Sequence, residues 1–189
     1  VGIALPECAR PLSMAAENIA IDVLYEDEHL LAIDKPPGMV VHPTFRNLTG
    51  TLMNALSWRA RAWPAPQRPS IVGRLDRLTS GVVVVAKTPT VHAALQRTMA
   101  SRASHKEYLA VVYGRINVAY GEIDLRLGRQ SGDRRRVVAS TTVGASSLTR
   151  FERLASIAAP DVGLSLVGCR LITGRMHQIR VHLAARGWP

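Results

Sequence analysis

The run Val82-Val83-Val84-Val85-Ala86 sets the first limit on what this chain can fold into. A continuous apolar run this short and this rich in β-branched residues points to a strand buried in the middle of a sheet. Other strands gather around it. Ile21-Asp22-Val23-Leu24-Tyr25 alternates like a half-buried strand, Glu26-Asp27-Glu28 turns, and 29–33 follows as a second strand, so the pair reads as a hairpin. Lys35-Pro36-Pro37-Gly38 breaks it, and 39–42 resumes extended structure. Further strands are expected at 107–113, 121–127, 136–140, 146–154 and 164–172. Helical spacing occurs at 51–61, where Thr49 or Thr51 serves as cap, at 90–101 and at 177–185. Residues 62–70 hold three prolines and read as a loop. Strands dominate without a regular βαβα alternation. The expected fold is therefore α+β, with a mixed, largely antiparallel central sheet flanked by short helices and loops. Residues 1–20 read as a linker or arm, and 21–189 as one domain.

Charge narrows the class of partner. Lys and Arg number 24 against 14 acids, a net charge of +10, and such a field attracts polyanions. The excess is uneven: five arginines lie between Arg126 and Arg136, and no acid follows Asp161. On charge alone, a solvated basic surface explains this as well as nucleic acid does. Cys8 and Cys169 form no metal or redox pattern, which suggests a reduced, cytoplasmic protein. No apolar run approaches the ~20 residues that span a bilayer, and a membrane partner is not expected.

The segment Gly73-Arg74-Leu75-Asp76-Arg77-Leu78-Thr79-Ser80-Gly81 holds an acid between two arginines, in a short polar stretch that feeds the apolar run. Neighbouring cations favour the charged form of a carboxylate, which then serves as nucleophile or base. A structural Asp that pairs with Arg74 or Arg77 and caps a turn has the same local signature.

This segment resembles the active-site motif of the RluA/RluD type of RNA pseudouridine synthases, through Arg74, Leu75, Asp76, Thr79, Ser80, Gly81, Ala86 and Lys87. The resemblance extends in order along 20–189. Residues 22–31, Lys35-Pro36-Pro37-Gly38 and Val40-Val41-His42-Pro43 resemble the family's opening hairpin and loop. Gly50-Thr51-Leu52 and Asn54-Ala55-Leu56 resemble its next helix, Lys106-Glu107-Tyr108 its second motif, and 173–182 its third. Gly73 departs from the pattern where relatives often have His, and Leu78 where a polar residue is common.

The resemblance implies a pseudouridine synthase fold with its active site in a central basic cleft, and isomerisation of uridine within RNA, without metal or cofactor. It implies Asp76 as the catalytic carboxylate, Arg180 as its ion-pair partner, and Tyr108 as the ring that packs on uracil and takes the C5 proton. Three roles stay open to Asp76: addition to the sugar, addition to the base, or removal of a ribose proton. Arg74 and Arg77 are expected to hold the opened RNA backbone, with Lys35, His42 and Arg175 near it and Arg134, Arg135 and Arg136 gripping RNA further out. Ribosomal RNA is the expected substrate, transfer RNA the second, and the protein is expected to be a monomer. Family members continue beyond the equivalent of Pro189 and many carry an S4-type domain upstream, so truncation at the C-terminus and such a domain before Val1 are also expected.

Two other classes compete. An inert RNA-binding module accounts for the charge but not for Asp76 and Tyr108 in their motifs. A glycosidase needs two carboxylates astride the bond, and the motifs offer Asp76 with only Asp34 as a second. Zinc is disfavoured, because His177 and His182 lack the i, i+4 spacing that shares a helix face.

Overall fold

A computed structural model describes residues 14–101, 104–157 and 163–189, with backbone alone for Arg134 and Arg135. The chain divides into two compact units, residues 1–97 and 98–189.

In the first unit, β1 (Asp22–Glu26), β2 (Leu30–Lys35), β3 (Ser70–Val72) and β4 (Gly81–Ala86) form a sheet in the order β1-β2-β4-β3. All its pairings are antiparallel. Strand β4 is therefore internal, as its β-branched run predicts. Its two faces differ, however. Val83 and Val85 pair with Ile33 and Leu31 and are buried with them, whereas Val82 is 60% exposed. An antiparallel sheet needs only one packed face, and here that face is covered by Leu52 and Leu56 of α1 (Leu52–Arg59).

Thr51 caps α1. Its side chain accepts from the Asn54 N–H, while the Thr51 N–H donates to Asn54 Oδ1 at 3.0 Å. Asn54 also donates to the Ala15 carbonyl at 2.7 Å, and the Glu17 carboxylate accepts from the Gly50 N–H. Of the expected N-terminal arm, residues 15–17 are thus tied to the start of α1; 1–13 lie outside the described residues. Residues 39–42 form no strand. Instead, the Val40 and Val41 carbonyls accept from the N–H groups of Leu52 and Met53. Helix α2 (Pro89–Ala100) follows β4 in the chain.

The second unit contains β5 (Glu107–Tyr113), β6 (Tyr120–Asp124), β7 (Arg126–Gln130), β8 (Asp133–Ser140), β9 (Leu148–Ile157), β10 (Leu164–Leu171) and α3 (Gln178–Ala185). Four strands form an antiparallel sheet in the order β5-β10-β9-β6, and β7 and β8 form a separate hairpin. The single strand expected at 121–127 is thus two, β6 and β7, parting at Leu125. Ile123, Phe151, Val167 and Leu183 centre the core, where Phe151 meets the Trp188 ring edge-on at 5.4 Å. The hairpin carries the arginine cluster. It is held close by Gly144, where a Cβ would lie 2.6 Å from the Leu127 carbonyl, so only glycine lets these backbones approach. The expected central mixed sheet is realised as two four-stranded antiparallel sheets and one ribbon, and the α+β class holds.

Candidate active site

Asp76 sits in the loop between β3 and β4, in the first unit. The loop leaves β3 through Gly73 at φ +80°, a region that L side chains rarely enter. Leu75 then packs against the first unit's core. That anchor leaves Asp76 half-buried, with Arg74 and Arg77 exposed on either side. The Thr79 N–H closes a turn onto the Asp76 carbonyl at 3.1 Å.

Lys35 corrects the sequence reading. It was expected to meet RNA, but its side chain is fully buried. Its ammonium donates to the carbonyls of Pro36 at 2.8 Å, Met39 at 3.0 Å and Arg77 at 3.2 Å. A group so enclosed has no donor left for a phosphate. Burial lowers its pKa, and attraction to Asp76 partly offsets this. The Arg77 carbonyl also accepts from the Gly38 N–H at 2.7 Å, and Arg77 Nε donates to the Gly38 carbonyl at 3.1 Å. The Lys-Pro-Pro-Gly loop and the Asp76 loop are therefore knitted together. Composition alone did not reveal this, because lysine is expected outside. The only signal was its place in the motif. His42 is exposed; loss of water around its ring and then the charge of Arg74 lower its pKa, which puts it beside the Asp76 loop.

The other expected catalytic residues belong to the second unit. Tyr108 lies on β5 opposite Cys169 of β10 and packs, half-buried, on that unit's core. Arg180 lies on α3 and is exposed. Two buried residues four apart on the same helix, Gln178 and His182, fix its roll. Gln178 Oε1 accepts from Thr173 Oγ1 at 2.9 Å and from the Arg175 N–H at 3.0 Å. Its amide donates to the Leu148 carbonyl and to Thr149 Oγ1, both at 3.0 Å. His182 Nε2 donates to the Leu125 carbonyl at 3.1 Å, which leaves Nδ1 to accept from the Thr149 hydroxyl at 3.0 Å. With positions 178 and 182 bolted to β9, position 180 must face away from them. Arg180 shares a hollow of about 770 Å³ with His177, Val137 and Arg136. His177 precedes the helix in the left-handed conformation at φ 55°, a backbone cost of about 1–2 kcal/mol.

The remaining RNA candidates divide. Arg136 is exposed on β8, and Arg175 is exposed with Nε donating to the Ser146 carbonyl at 3.4 Å. The side chains of Arg134 and Arg135 lie outside the described residues.

The His182 network predicts a pH dependence. Burial lowers the pKa of His182, while the Leu125 carbonyl and Asp124 oppose the shift. The unfolded chain then binds a proton near 6.5 that the folded chain refuses. This stability is present above 6.5 and falls as pH drops through that value toward the folded pKa. His182→Ala should lower unfolding free energy near neutrality by about 1–3 kcal/mol and flatten the decline just below 6.5. His42, shifted the same way, retains a part. Urea melts across this range check it; an unchanged slope would mean that His182 binds its proton as readily in the fold as in the unfolded chain.

Comparison with known proteins identifies the family. Residues 29–185 match the RNA pseudouridylate synthase family. The chain belongs to that family. It is 45% identical over 168 residues to the ribosomal large subunit pseudouridine synthase D of Xylella fastidiosa, covering 89% of this chain and 49% of the relative. It is 38% identical to the protein of that name from Zymomonas mobilis, covering 99% of this chain and 58% of the relative. The chain thus spans between 49% and 58% of the length of these two relatives. A solved structure of human RNA pseudouridylate synthase domain containing 1 aligns with a TM-score of 0.72 at 25% identity, over 95% of this chain and 69% of that one.

Proposed function

We propose that this chain carries the catalytic part of an enzyme that isomerises uridines in RNA to pseudouridine, with ribosomal RNA as substrate and transfer RNA second. The observation that supports this best is the Asp76 loop: it holds one half-buried carboxylate between two exposed arginines, and the buried Lys35 ammonium ties the loop to its neighbour through the Arg77 carbonyl. The two relatives are named for the large ribosomal subunit.

In the reaction the bond between C1′ and N1 breaks, the uracil turns, and a bond between C1′ and C5 forms. The C5 proton leaves and N1 gains one, so atoms and electrons balance within the nucleoside. We assign the carboxylate step to Asp76, a positive charge to Arg180, and removal of the C5 proton to Tyr108. Arg74, Arg77, His42 and Arg175 are assigned to the RNA around the uridine, and the arginines of the β7–β8 hairpin to backbone further out. The target must leave its stack, at a cost of a few kcal/mol that is least in unpaired RNA. The reading carries with it a cytoplasmic monomer. It needs no redox cofactor or metal, because no electrons leave and no phosphate moves.

Incubation with unmodified large-subunit ribosomal RNA, followed by nucleoside mass spectrometry, is expected to show new pseudouridine. RNA binding without conversion would instead favour an inert binding module.

A further inference from the structure

Between Lys35 and Lys106 the sequence holds a single acidic residue, Asp76. Within this stretch Thr44 and Asn47 close a tight turn, each N–H donating to the other's carbonyl at 2.9 Å. The two residues at its tip are Phe45 and Arg46. Phe45 is 96% exposed, more than any other large apolar side chain among the described residues. A single apolar residue in solvent is ordinary; the setting here is not.

The segment that carries this turn runs beside the Asp76 loop. Arg77 is bonded to Gly38, and His42 feels the charge of Arg74. Leu78, next but one to Asp76, is 79% exposed, and Arg46, Arg74 and Arg77 are all exposed. This stretch therefore offers a ring, an aliphatic side chain and three cations, and its one acid is the carboxylate assigned to chemistry; Glu17, from outside the stretch, is engaged by the Gly50 N–H.

We propose that Phe45 stacks on an unpaired base of the RNA next to the uridine being modified, with Arg46 on the adjoining phosphate. This rests on the reading that RNA is the substrate. The turn fixes the backbone beneath the ring, so little freedom is lost on contact. Any base presents a face to such a ring, and unpaired bases are the ones whose faces are open. An RNA occupant also meets the charge: a strand of phosphates complements three exposed arginines.

The test uses Phe45→Ala, Phe45→Leu and Phe45→Trp with unmodified large-subunit ribosomal RNA made by transcription. Binding constants and single-turnover rates at saturating RNA are measured separately. Because position 45 is almost wholly in solvent, the variants should melt like the wild type. Phe45→Ala should weaken binding on the order of thirtyfold, the middle of the range for loss of one base–aromatic stack. Its rate at saturation should stay near that of the wild type. Phe45→Trp should keep full affinity, and Phe45→Leu should behave like Phe45→Ala. Wild-type affinity in Phe45→Ala would overturn the proposal. So would full affinity in Phe45→Leu, since apolar bulk rather than stacking would then suffice, as it does against a protein surface. Binding is read whether or not uridine is converted. Failure of the wild type to make pseudouridine thus counts against the enzymatic reading alone, and loss of the Phe45 effect counts against stacking alone.

Discussion

Asp76→Asn is expected to leave RNA bound and unconverted, with the rate of pseudouridine formation lower by on the order of 10⁴-fold or more, at or beyond the top of the range for loss of one acid–base group. The substitution keeps the side chain's size. It removes the charge that every role open to Asp76 requires. Affinity should change little, because phosphate binding is assigned to the exposed arginines and not to this carboxylate. The loop should survive as well. Leu75 anchors it to the core, and the Lys35 and Gly38 bonds reach the Arg77 carbonyl rather than the carboxylate. Pseudouridine content and RNA binding measured on the same preparation check this. Substantial conversion by Asp76→Asn would move the chemistry to another residue.

Tyr108→Phe is expected to fail at a later step. It retains the ring that packs on the core of the second unit but loses the phenolic oxygen, and conversion should fall by about 10²–10⁴-fold. RNA carrying 5-fluorouridine separates this step from the one assigned to Asp76. Fluorine does not leave as a proton does, so the wild type should break the glycosidic bond, rearrange the base and stop. Tyr108→Phe should do the same, while Asp76→Asn should leave the fluorinated base untouched. Chromatography and mass spectrometry of the digested RNA distinguish the products. If Tyr108→Phe also leaves that base unreacted, Tyr108 acts before proton removal, in binding or in packing.

The elements that the sequence reveals well are those whose pattern is set by a single packed face. Strand β5 lies at 107–113 as expected, and β10 ends within one residue of its expected limit. Helix α1 starts at the cap that Thr51 provides. Sequence reading was weaker where pairing is non-local. Strand β3, three residues long, exists because β4 offers an edge to Ser70–Val72, and no local period announces it. The break between β6 and β7 is likewise set by different partners, β9 for one and β8 for the other. At the site, motif matching drew attention to Asp76, Tyr108 and Arg180. It treated Lys35 as a surface ligand, because an isolated lysine in a sequence gives no hint of three carbonyls converging on it. Gln178 and His182 were visible as motif letters, but their partnership through Thr149 depends on a strand about thirty residues away in sequence.

The buried Lys35 ammonium also bears on affinity. It holds the Arg77 carbonyl and the Pro36 and Met39 carbonyls at once, so the two loops cannot rearrange independently without leaving a buried cation short of acceptors. Under the proposed function, an arriving uridine would meet a carboxylate whose loop is supported before contact. Little binding free energy goes into ordering that loop, and more remains for drawing the base out of its stack. Part of the order around Asp76 thus comes from a charge hidden beneath the loop, in place without any ligand.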